Sequence, residues 1–525
     1  MRSRMAENTT NGNLHLTSGR LLARNTVWNL IGQVVPMVVG LVTVPFIIRG
    51  MGVERFGVLS LAWIVVGYFS LFDLGIGRAL TKLVADKLAS KEEQVIPSLV
   101  WTSLLLLFVL GMFGGMVTAA LSPLLVRHLL KVPLALQSET LHGFYLLAAS
   151  MPVVTTTAGF RGVLEALQRF RVANLIRMPM SVFSLVGPLL ILPFSHSLVP
   201  IIGTLMAARV IGCVVHLIAC IRAVPALGHN FGTNLLFVGP LFRNGGWMTL
   251  CNVVGPVILY IDRFLIGAVL SLSAVGYYTA PFDVLSRLNV IPAAIAGVLF
   301  PAFALSVAQD PNRTGLLLAR GTKYVFLALY PVVLLIVMFG PEMLQHWLGA
   351  SFAERSGVVL PWLAVGMLMS CLTVVPFASL QGIGKSNIAG IFLLIDLPIY
   401  LTVAFVLTKR MGIEGTAVSW AGRTTLEVLV LFVLNRRFLP ARALPLGHLG
   451  ICMVAALSVL PLSLIPASPL SRAAFVLLAF VAFLSVSWFY FLEPEERAFL
   501  IRWKTDVVGM LSGNAISATG GRAAD

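Results

Sequence analysis

Four charged residues fall inside one long apolar stretch, residues 255–304: Asp262, Arg263, Asp283 and Arg287. The stretch is apolar enough to form two membrane-spanning helices. A charged side chain at the centre of such a helix costs roughly 2.5–3.5 kcal/mol on insertion scales, so four of them cannot all face lipid. We therefore expect this hairpin to form the wall of a polar cavity. In such a cavity arginines can bind an anion, and carboxylates can bind a proton or a cation.

The spacing of these charges predicts which of them neutralise each other. We expect a turn near residues 271–274, with one helix on each side. Asp283 and Arg287 are then one helical turn apart, which predicts a partial ion pair. Arg263 directly follows Asp262, about 100° further round its helix, so we expect Asp262 not to shield it. Arg263 is therefore predicted to be an unpaired cation.

Further charges lie near mid-depth in other apolar segments. Arg209 falls in the sixth predicted span and Asp396 in the eleventh, whereas Arg423 and Glu427 lie one turn apart in the twelfth. Arg177 falls near the inner end of the fifth span, where it can extend toward lipid headgroups. Arg209 is either a cavity residue or a donor to backbone carbonyls of neighbouring helices. The mid-depth charges from both halves of the chain predict one shared polar cavity.

An amide stripe adds a third set of candidate cavity residues. Asn25, Asn29 and Gln33 recur every four residues, which places them on one face of the first predicted helix. Hydrogen bonding to a neighbouring helix explains this stripe as well as cavity lining does. The mid-depth charges described above form the other two sets. The predicted headgroup-binding residues are Arg209, Arg263, Arg287 and Arg423. The predicted proton- or cation-coupling residues are Asp262, Asp283, Asp396 and Glu427.

The composition sets the fold class in which these residues must be positioned. Hydrophobic residues make up 58% of the 525 residues and charged residues 11%. Apolar stretches of roughly 20 residues, long enough to cross a bilayer, recur about fourteen times. They lack the alternating pattern of barrel strands. We predict an all-α integral membrane protein with about 14 transmembrane helices, arranged as two pseudo-symmetric six-helix lobes plus two C-terminal helices.

A weak internal repeat supports the division into lobes. Three residues in the first half of the chain recur at one constant offset in the second half. The pairs are Asn25 with Asn244, Trp28 with Trp247, and Gly57 with Gly276. The predicted segments are a cytoplasmic N-terminus (1–19), an N-terminal lobe (20–221), a cytoplasmic linker (222–243), a C-terminal lobe (244–438), two further spans (439–492) and a cytoplasmic tail (493–525).

The net charge of +16 is explained by membrane topology, so no nucleic-acid partner is expected. The segmentation places about 25 Lys and Arg at one membrane face and about 8 at the other, which predicts cytoplasmic termini by the positive-inside rule. The first 19 residues lack the apolar core of a cleaved signal peptide. One outer segment, residues 122–140, is amphipathic and is predicted to lie at the membrane surface.

Several enzyme and cofactor classes have no support in this sequence. The five cysteines fall inside apolar stretches without ligand spacing, and there is no HExxH or CxxC motif, so neither a metal nor a cofactor is expected. There is no GxxxxGK[ST] loop for nucleotide hydrolysis. The predicted outer loops are too short for a catalytic domain. These features favour a transporter over an enzyme.

Three stretches resemble the polysaccharide biosynthesis flippases, which export O-antigen and exopolysaccharide repeat units. They are IIRGMGVERFGVLSLAWIVVGYFSLFDLGIGRALTKLVA, YIDRFLIGAVLSLSAVGYYTAPFDVLSRLNVIPAAIAGVLFPAF, and LQGIGKSN followed by MGIEGTAVSW. Each stretch is diffuse, but together they occur in order and at the spacing of that family. The family belongs to a superfamily that also contains multidrug/cation antiporters and lipid II flippases.

The resemblance implies a V-shaped pair of lobes that opens alternately to each side of a bacterial inner membrane. It implies a substrate made of a short oligosaccharide linked by diphosphate to undecaprenol. It also implies contact with membrane lipids and, as partners, a polysaccharide polymerase and a chain-length regulator. Two alternatives stay open at this point: a multidrug or cation antiporter of the same superfamily, and a polytopic glycan polymerase or ligase.

Overall fold

The computed structural model describes the backbone of residues 19–68, 75–239, 246–439 and 469–498, together with residues 455 and 458. The side chains in these ranges are described except at 19–33, 66–68, 246–253, 256, 301, 304–305, 307–309, 311, 469–470 and 491. Most of the predicted thirteenth span, nearly all of the N-terminal segment and most of the C-terminal tail therefore lie outside the description.

The described residues form fifteen α-helices and no strand. This confirms the predicted all-α class. The helices are α1 (Gly19–Tyr68), α2 (Ile76–Ala89), α3 (Ile96–Leu124), α4 (Leu134–Ala166), α5 (Phe170–Ile191), α6 (Leu198–Ala223), α7 (Gly246–Val269), α8 (Leu272–Ser286), α9 (Val290–Gln309), α10 (Pro311–Leu348), α11 (Ala350–Gly357), α12 (Leu360–Gly382), α13 (Ser386–Met411), α14 (Ile413–Phe438) and α15 (Pro469–Val486).

Eleven helical segments in the described part of the chain are long and apolar enough to cross a membrane. Helix α1 contains two passes, because Gly52 has a φ of 83° that breaks the helix between them. The turn expected near residues 271–274 is confirmed: α7 ends at Val269, and the Ser271 side chain accepts a hydrogen bond from the Ala274 amide at 3.1 Å. The chain is a multi-pass membrane protein.

The packing of the helices follows the order of the chain. In the first half α4 packs on α3 and α6, and α5 packs on α1. In the second half α12 packs on α10 and α14, and α13 packs on α7. Helices α1 and α8 make the main contact between the halves. The proposed division into lobes at residues 20–221 and 244–438 stays a prediction.

Two glycines of the internal repeat meet where α1 crosses α8. A Cβ atom added to Gly57 would lie 2.0 Å from the Leu272 carbonyl oxygen. One added to Gly276 would lie 3.0 Å from the Val53 carbonyl oxygen. The backbones approach so closely that only glycine fits at position 57 without a shift. The repeat-related Gly57 and Gly276 thus form the close contact between the halves.

Hydrogen bonds also join the halves, and those of Lys131 lie at the same end as this contact, the predicted outer face. The backbone amide of Lys131 donates to the Gly267 carbonyl at 2.9 Å, and its ammonium group donates to the Val269 carbonyl at 2.5 Å. The indole Nε1 of Trp347 donates to the Leu41 carbonyl at 2.6 Å. The halves are therefore joined at this end.

The outer segment 122–140 differs from its prediction. Helix α3 runs to Leu124 and continues as a π-helical turn to Leu129, and α4 begins at Leu134. The prediction of a surface-lying helix was wrong, because the apolar residues of the segment extend the two spanning helices. Only the short link from Leu130 to Pro133 separates them.

Helix α15 is attached to α10 by polar contacts near both of its ends. Arg472 donates a short hydrogen bond to Glu342 at one end. At the other end Lys323 lies 2.8 Å from Glu496, which also accepts a hydrogen bond from Tyr324. Burial alone would raise the pKa of Glu496, but the hydrogen bonds from Lys323 and Tyr324 outweigh it and lower the pKa below its usual range.

Candidate functional site

A cavity of about 780 Å³ lies between the two halves of the chain. It is lined by residues of α1, α5 and α6 from the first half and of α7, α8 and α10 from the second. Its volume is in the upper range of small-molecule sites. Its charged lining residues are Arg177, Arg209, Asp283 and Arg287.

Two helices of the first half position two of the cavity arginines. On α5, Arg177, Ser181 and Ser184 follow one another at helical spacing, so they share one face, and all three line the cavity. Arg209 projects from α6 and is half-buried. Neither arginine makes an ion pair with any residue that the structure describes. The first half therefore presents two guanidinium groups with free donors.

The third cavity arginine comes from the second half. Helix α8 ends at Ser286, and Arg287 begins a single 3₁₀ turn that leads to α9. Arg287 is exposed to the cavity and has no ion-pair partner among the described residues. The expected pair between Asp283 and Arg287 was wrong. The carboxylate of Asp283 is bonded to a different arginine.

That other arginine is Arg263, which is completely buried. Its guanidinium lies 3.3 Å from Asp283 and 3.5 Å from Asp262, and Asp262 accepts a hydrogen bond from Tyr278 at 2.7 Å. The prediction that Arg263 is unpaired was wrong, because its long side chain turns back to Asp262 and also reaches the next helix. Asp283, 42% exposed, connects this buried network to the cavity wall.

Two aromatic rings hold the Arg263 guanidinium in place. Its central carbon lies 4.4 Å from the centre of the Tyr260 ring and 4.2 Å from that of Phe282. Cation–π contacts and ion pairs together offset the cost of burying this charge. Arg263 is thus a structural residue in this conformation, although sequence reasoning assigned it to the headgroup site.

A second buried network lies on α13 and α14. Arg423 donates from Nε to Asp396 at 2.8 Å, and its terminal nitrogen lies 2.5 Å from Glu427. The predicted one-turn pair of Arg423 and Glu427 is therefore present. All three side chains are nearly inaccessible to solvent, and none of them lines the cavity.

The cavity thus contains two of the four predicted headgroup arginines, Arg209 and Arg287. Arg263 and Arg423 lie outside its lining and are bonded to carboxylates. Sequence reasoning missed Arg177, which was placed at the headgroup level of the membrane. The serines that share its helix face were the signal that could have identified it, because a lipid-facing stripe would be apolar.

Of the four predicted coupling carboxylates, Asp283 lines the cavity, whereas the other three are buried in the two networks. Among the described residues, no cluster of three or more His, Cys, Asp or Glu side chains could hold a metal ion. The predicted amide stripe lies outside the described side chains and stays a prediction; it consists of Asn25, Asn29 and Gln33.

Three aromatic side chains line one part of the cavity. Trp63 and Phe56 come from the second pass of α1, and Trp347 comes from the last turn of α10. Trp63 and Phe56 meet edge to face, with ring centres 6.2 Å apart. We call the part of the cavity lined by these three rings its aromatic end.

The charges of the lining favour an anionic ligand. Three arginines face one carboxylate, and that carboxylate already accepts a hydrogen bond from Arg263. Guanidinium groups bind phosphate oxygens in a bidentate manner and stay ionised at any physiological pH. A cationic ligand would meet net repulsion here. The cavity is therefore suited to a phosphate or diphosphate group.

Comparison with known sequences matches this chain to one protein family and to named polysaccharide transport proteins. Residues 22–306, more than half of the chain, match the family described as polysaccharide biosynthesis protein. A candidate O-antigen transporter of Shigella flexneri is 29% identical over 411 residues, which are 78% of this chain and 96% of that protein. The succinoglycan biosynthesis transport protein ExoT of Rhizobium meliloti (strain 1021) is 24% identical over 71% of each chain.

Solved structures share the fold. A lipid II flippase MurJ in an inward closed conformation aligns with a TM-score of 0.66 at 12% identity, covering 88% of this chain and 98% of that one. An inward-facing multidrug resistance MATE family transporter of the MOP superfamily also gives 0.66, at 15% identity, covering 79% and 94%. At such identities the likeness concerns the fold alone.

Proposed function

We propose, from the premise that this chain belongs to the polysaccharide biosynthesis protein family, that it flips oligosaccharide repeat units linked by diphosphate to undecaprenol. Its relatives carry the names of polysaccharide transporters, and the chain is a membrane transporter rather than an enzyme. The proposed direction is from the cytoplasmic to the outer leaflet of a bacterial inner membrane. The proposed partners are a polysaccharide polymerase and a chain-length regulator.

The observation that carries this proposal is the set of three unpaired arginines in one cavity. Arg177 and Arg209 belong to the first half and Arg287 to the second, so a diphosphate between them would be bound by both halves. Movement of the halves would then carry the headgroup from one side to the other while the lipid tail stays in the bilayer. The close contact of α1 with α8 supports a cavity closed toward the outer face.

The membrane potential can supply the energy for this movement. A diphosphate carrying about two negative charges moves outward, and the inside-negative potential favours that direction. At roughly 2.3 kcal/mol per charge per 100 mV, the gain is about 4–5 kcal/mol in each cycle. Proton or cation coupling through Asp283, which lines the cavity, is compatible with this proposal.

The test is binding and export by single variants of the cavity arginines. Purified protein in lipid nanodiscs is titrated with undecaprenyl diphosphate and with undecaprenyl monophosphate. Arg177→Ala, Arg209→Ala and Arg287→Ala should each weaken diphosphate binding about ten- to a hundredfold, the loss of one charge-assisted hydrogen bond. Lys at the same positions should restore part of the affinity, because it keeps the charge but loses the planar fork.

Arg171→Ala provides the matched control, since Arg171 is exposed on the same helix α5 and is not a lining residue. This variant should bind and export normally. Surface polysaccharide in a deletion strain, complemented with each variant at equal membrane levels, gives the cellular measurement. Near-normal export by the Arg209→Ala, Arg287→Ala double variant would rule out a cationic headgroup site.

A further inference from the structure

Two polar atoms at the aromatic end of the cavity lack hydrogen-bond partners. The hydroxyl oxygen of Ser60 and the indole Nε1 of Trp63 are buried, and neither has a partner in the part of the chain that the structure describes. Both residues line the cavity and lie one turn apart on α1. A buried polar group without a partner costs roughly 1–3 kcal/mol. Such a pair at a cavity wall indicates a ligand that supplies the missing partners.

The neighbouring indole is held rigidly. Trp347 donates from Nε1 to the Leu41 carbonyl at 2.6 Å, so its ring orientation is fixed by the other half of the chain. Trp63 is held by its edge-to-face contact with Phe56. Indole rings combine a large apolar face with one polar edge, so they bind ligands that have both features.

We propose that this end of the cavity, formed by Ser60, Trp63 and Trp347, is the subsite for a sugar ring of the transported repeat unit. A pyranose has an apolar face of C–H groups, which packs on an indole, and hydroxyl groups at its edge. Those hydroxyls accept a hydrogen bond from the Trp63 N–H and exchange one with the Ser60 hydroxyl. An ammonium ligand cannot satisfy the Trp63 N–H, because it has no acceptor.

The order of the groups along the cavity agrees with a lipid-linked glycan. Arg287 comes 15 residues after the outer start of α8, and Arg177 lies in the inner half of α5, whereas Trp63 comes 11 residues after the outer break at Gly52 and Trp347 lies in the last turn of α10. A lipid anchored in the inner leaflet would place its diphosphate at Arg177 and Arg287 and its first sugars at the tryptophans. This inference rests on the proposed function and adds to it the residues that bind the glycan.

The experiment compares two lipids on the same purified full-length protein in nanodiscs. One is undecaprenyl diphosphate, and the other is the lipid-linked repeat unit extracted from producing cells that lack the polymerase. The wild type should bind the glycosylated lipid more tightly. Trp63→Phe, which keeps the ring but loses the N–H, should weaken that binding about fivefold, and Ser60→Ala by a similar factor. Binding of undecaprenyl diphosphate should not change, which also shows that the variants are folded.

Trp362→Phe is the matched control, because Trp362 is a partly buried residue of α12 outside the cavity lining. It should leave both affinities unchanged. Equal weakening of both lipids by Trp63→Phe would mean that Trp63 only supports the fold, and would overturn the sugar subsite. Equal affinity of the wild type for both lipids would overturn it as well, while arginine-dependent diphosphate binding would leave the proposed function standing. Failure to bind either lipid would overturn both.

Discussion

Replacement of Gly57 by Ala should open the joined end of the cavity. The added Cβ would lie 2.0 Å from the Leu272 carbonyl oxygen and 2.9 Å from its carbonyl carbon, whereas ordinary contacts begin near 3.4 Å. Because both opposing atoms are backbone, no side-chain rotation relieves the overlap. Helices α1 and α8 must therefore move apart by more than an ångström in this conformation, or the chain must adopt another one.

The size of the effect follows from the cost of overpacking. Inserting a methyl group into a tightly packed contact typically costs about 1–3 kcal/mol. If the contact exists only while the cavity is closed to the outer face, the substitution destabilises the closed conformation by this amount and leaves the open conformation unchanged. The ratio of closed to open molecules should then fall by a factor of about 5 to 150.

Cysteine accessibility measures this ratio. Ser184, a cavity residue on α5, is changed to Cys in a chain whose five native cysteines are replaced, and cells are treated with a membrane-impermeant maleimide. Labelling from outside should be slow when Gly57 is present and markedly faster with Gly57→Ala. Gly203→Ala on α6 is the control, because a Cβ there meets no atom within 4 Å. Identical labelling of both variants at equal protein levels would refute the interpretation that the contact of α1 with α8 closes the cavity toward the outer face.

Three further predictions concern the Arg263 network, the contact of Glu496 with α10, and the topology. A double-mutant cycle of Arg263→Ala and Asp283→Ala on thermal stability should give a coupling of about 0.5–3 kcal/mol, and strict additivity would contradict the bond between them. Because the pKa of Glu496 is lowered, its contribution to stability is present at neutral pH and is lost as pH falls below about 4, so Glu496→Gln should flatten the acid dependence of the melting temperature. Reporter fusions after Lys91 should read cytoplasmic and fusions near Lys131 outside, and the reverse pattern would invert the proposed topology.

The fold class could be predicted from the sequence, because a long apolar segment in lipid must satisfy its own backbone hydrogen bonds and does so as an α-helix. It also predicted the bond between Arg423 and Glu427, since one helix determines both positions. It failed for Arg263 because its partner Asp283 lies on the next helix, and helix periodicity says nothing about contacts between helices. It failed for Arg177 because distance from a helix end suggested a headgroup position, whereas the cavity results from the way the two halves join.

The protein stabilises the five arginines discussed above within the membrane in two different ways. Arg263 and Arg423 are bonded to carboxylates within the protein, and removing a partner would leave a buried charge at a cost of about 3–5 kcal/mol. Arg177, Arg209 and Arg287 instead face a cavity, where water or a ligand can occupy their donors. Both groups look alike in the sequence, because each is a charge in an apolar segment. Substitutions in the first group should therefore lower stability, whereas substitutions in the second should weaken substrate binding in a protein that remains folded.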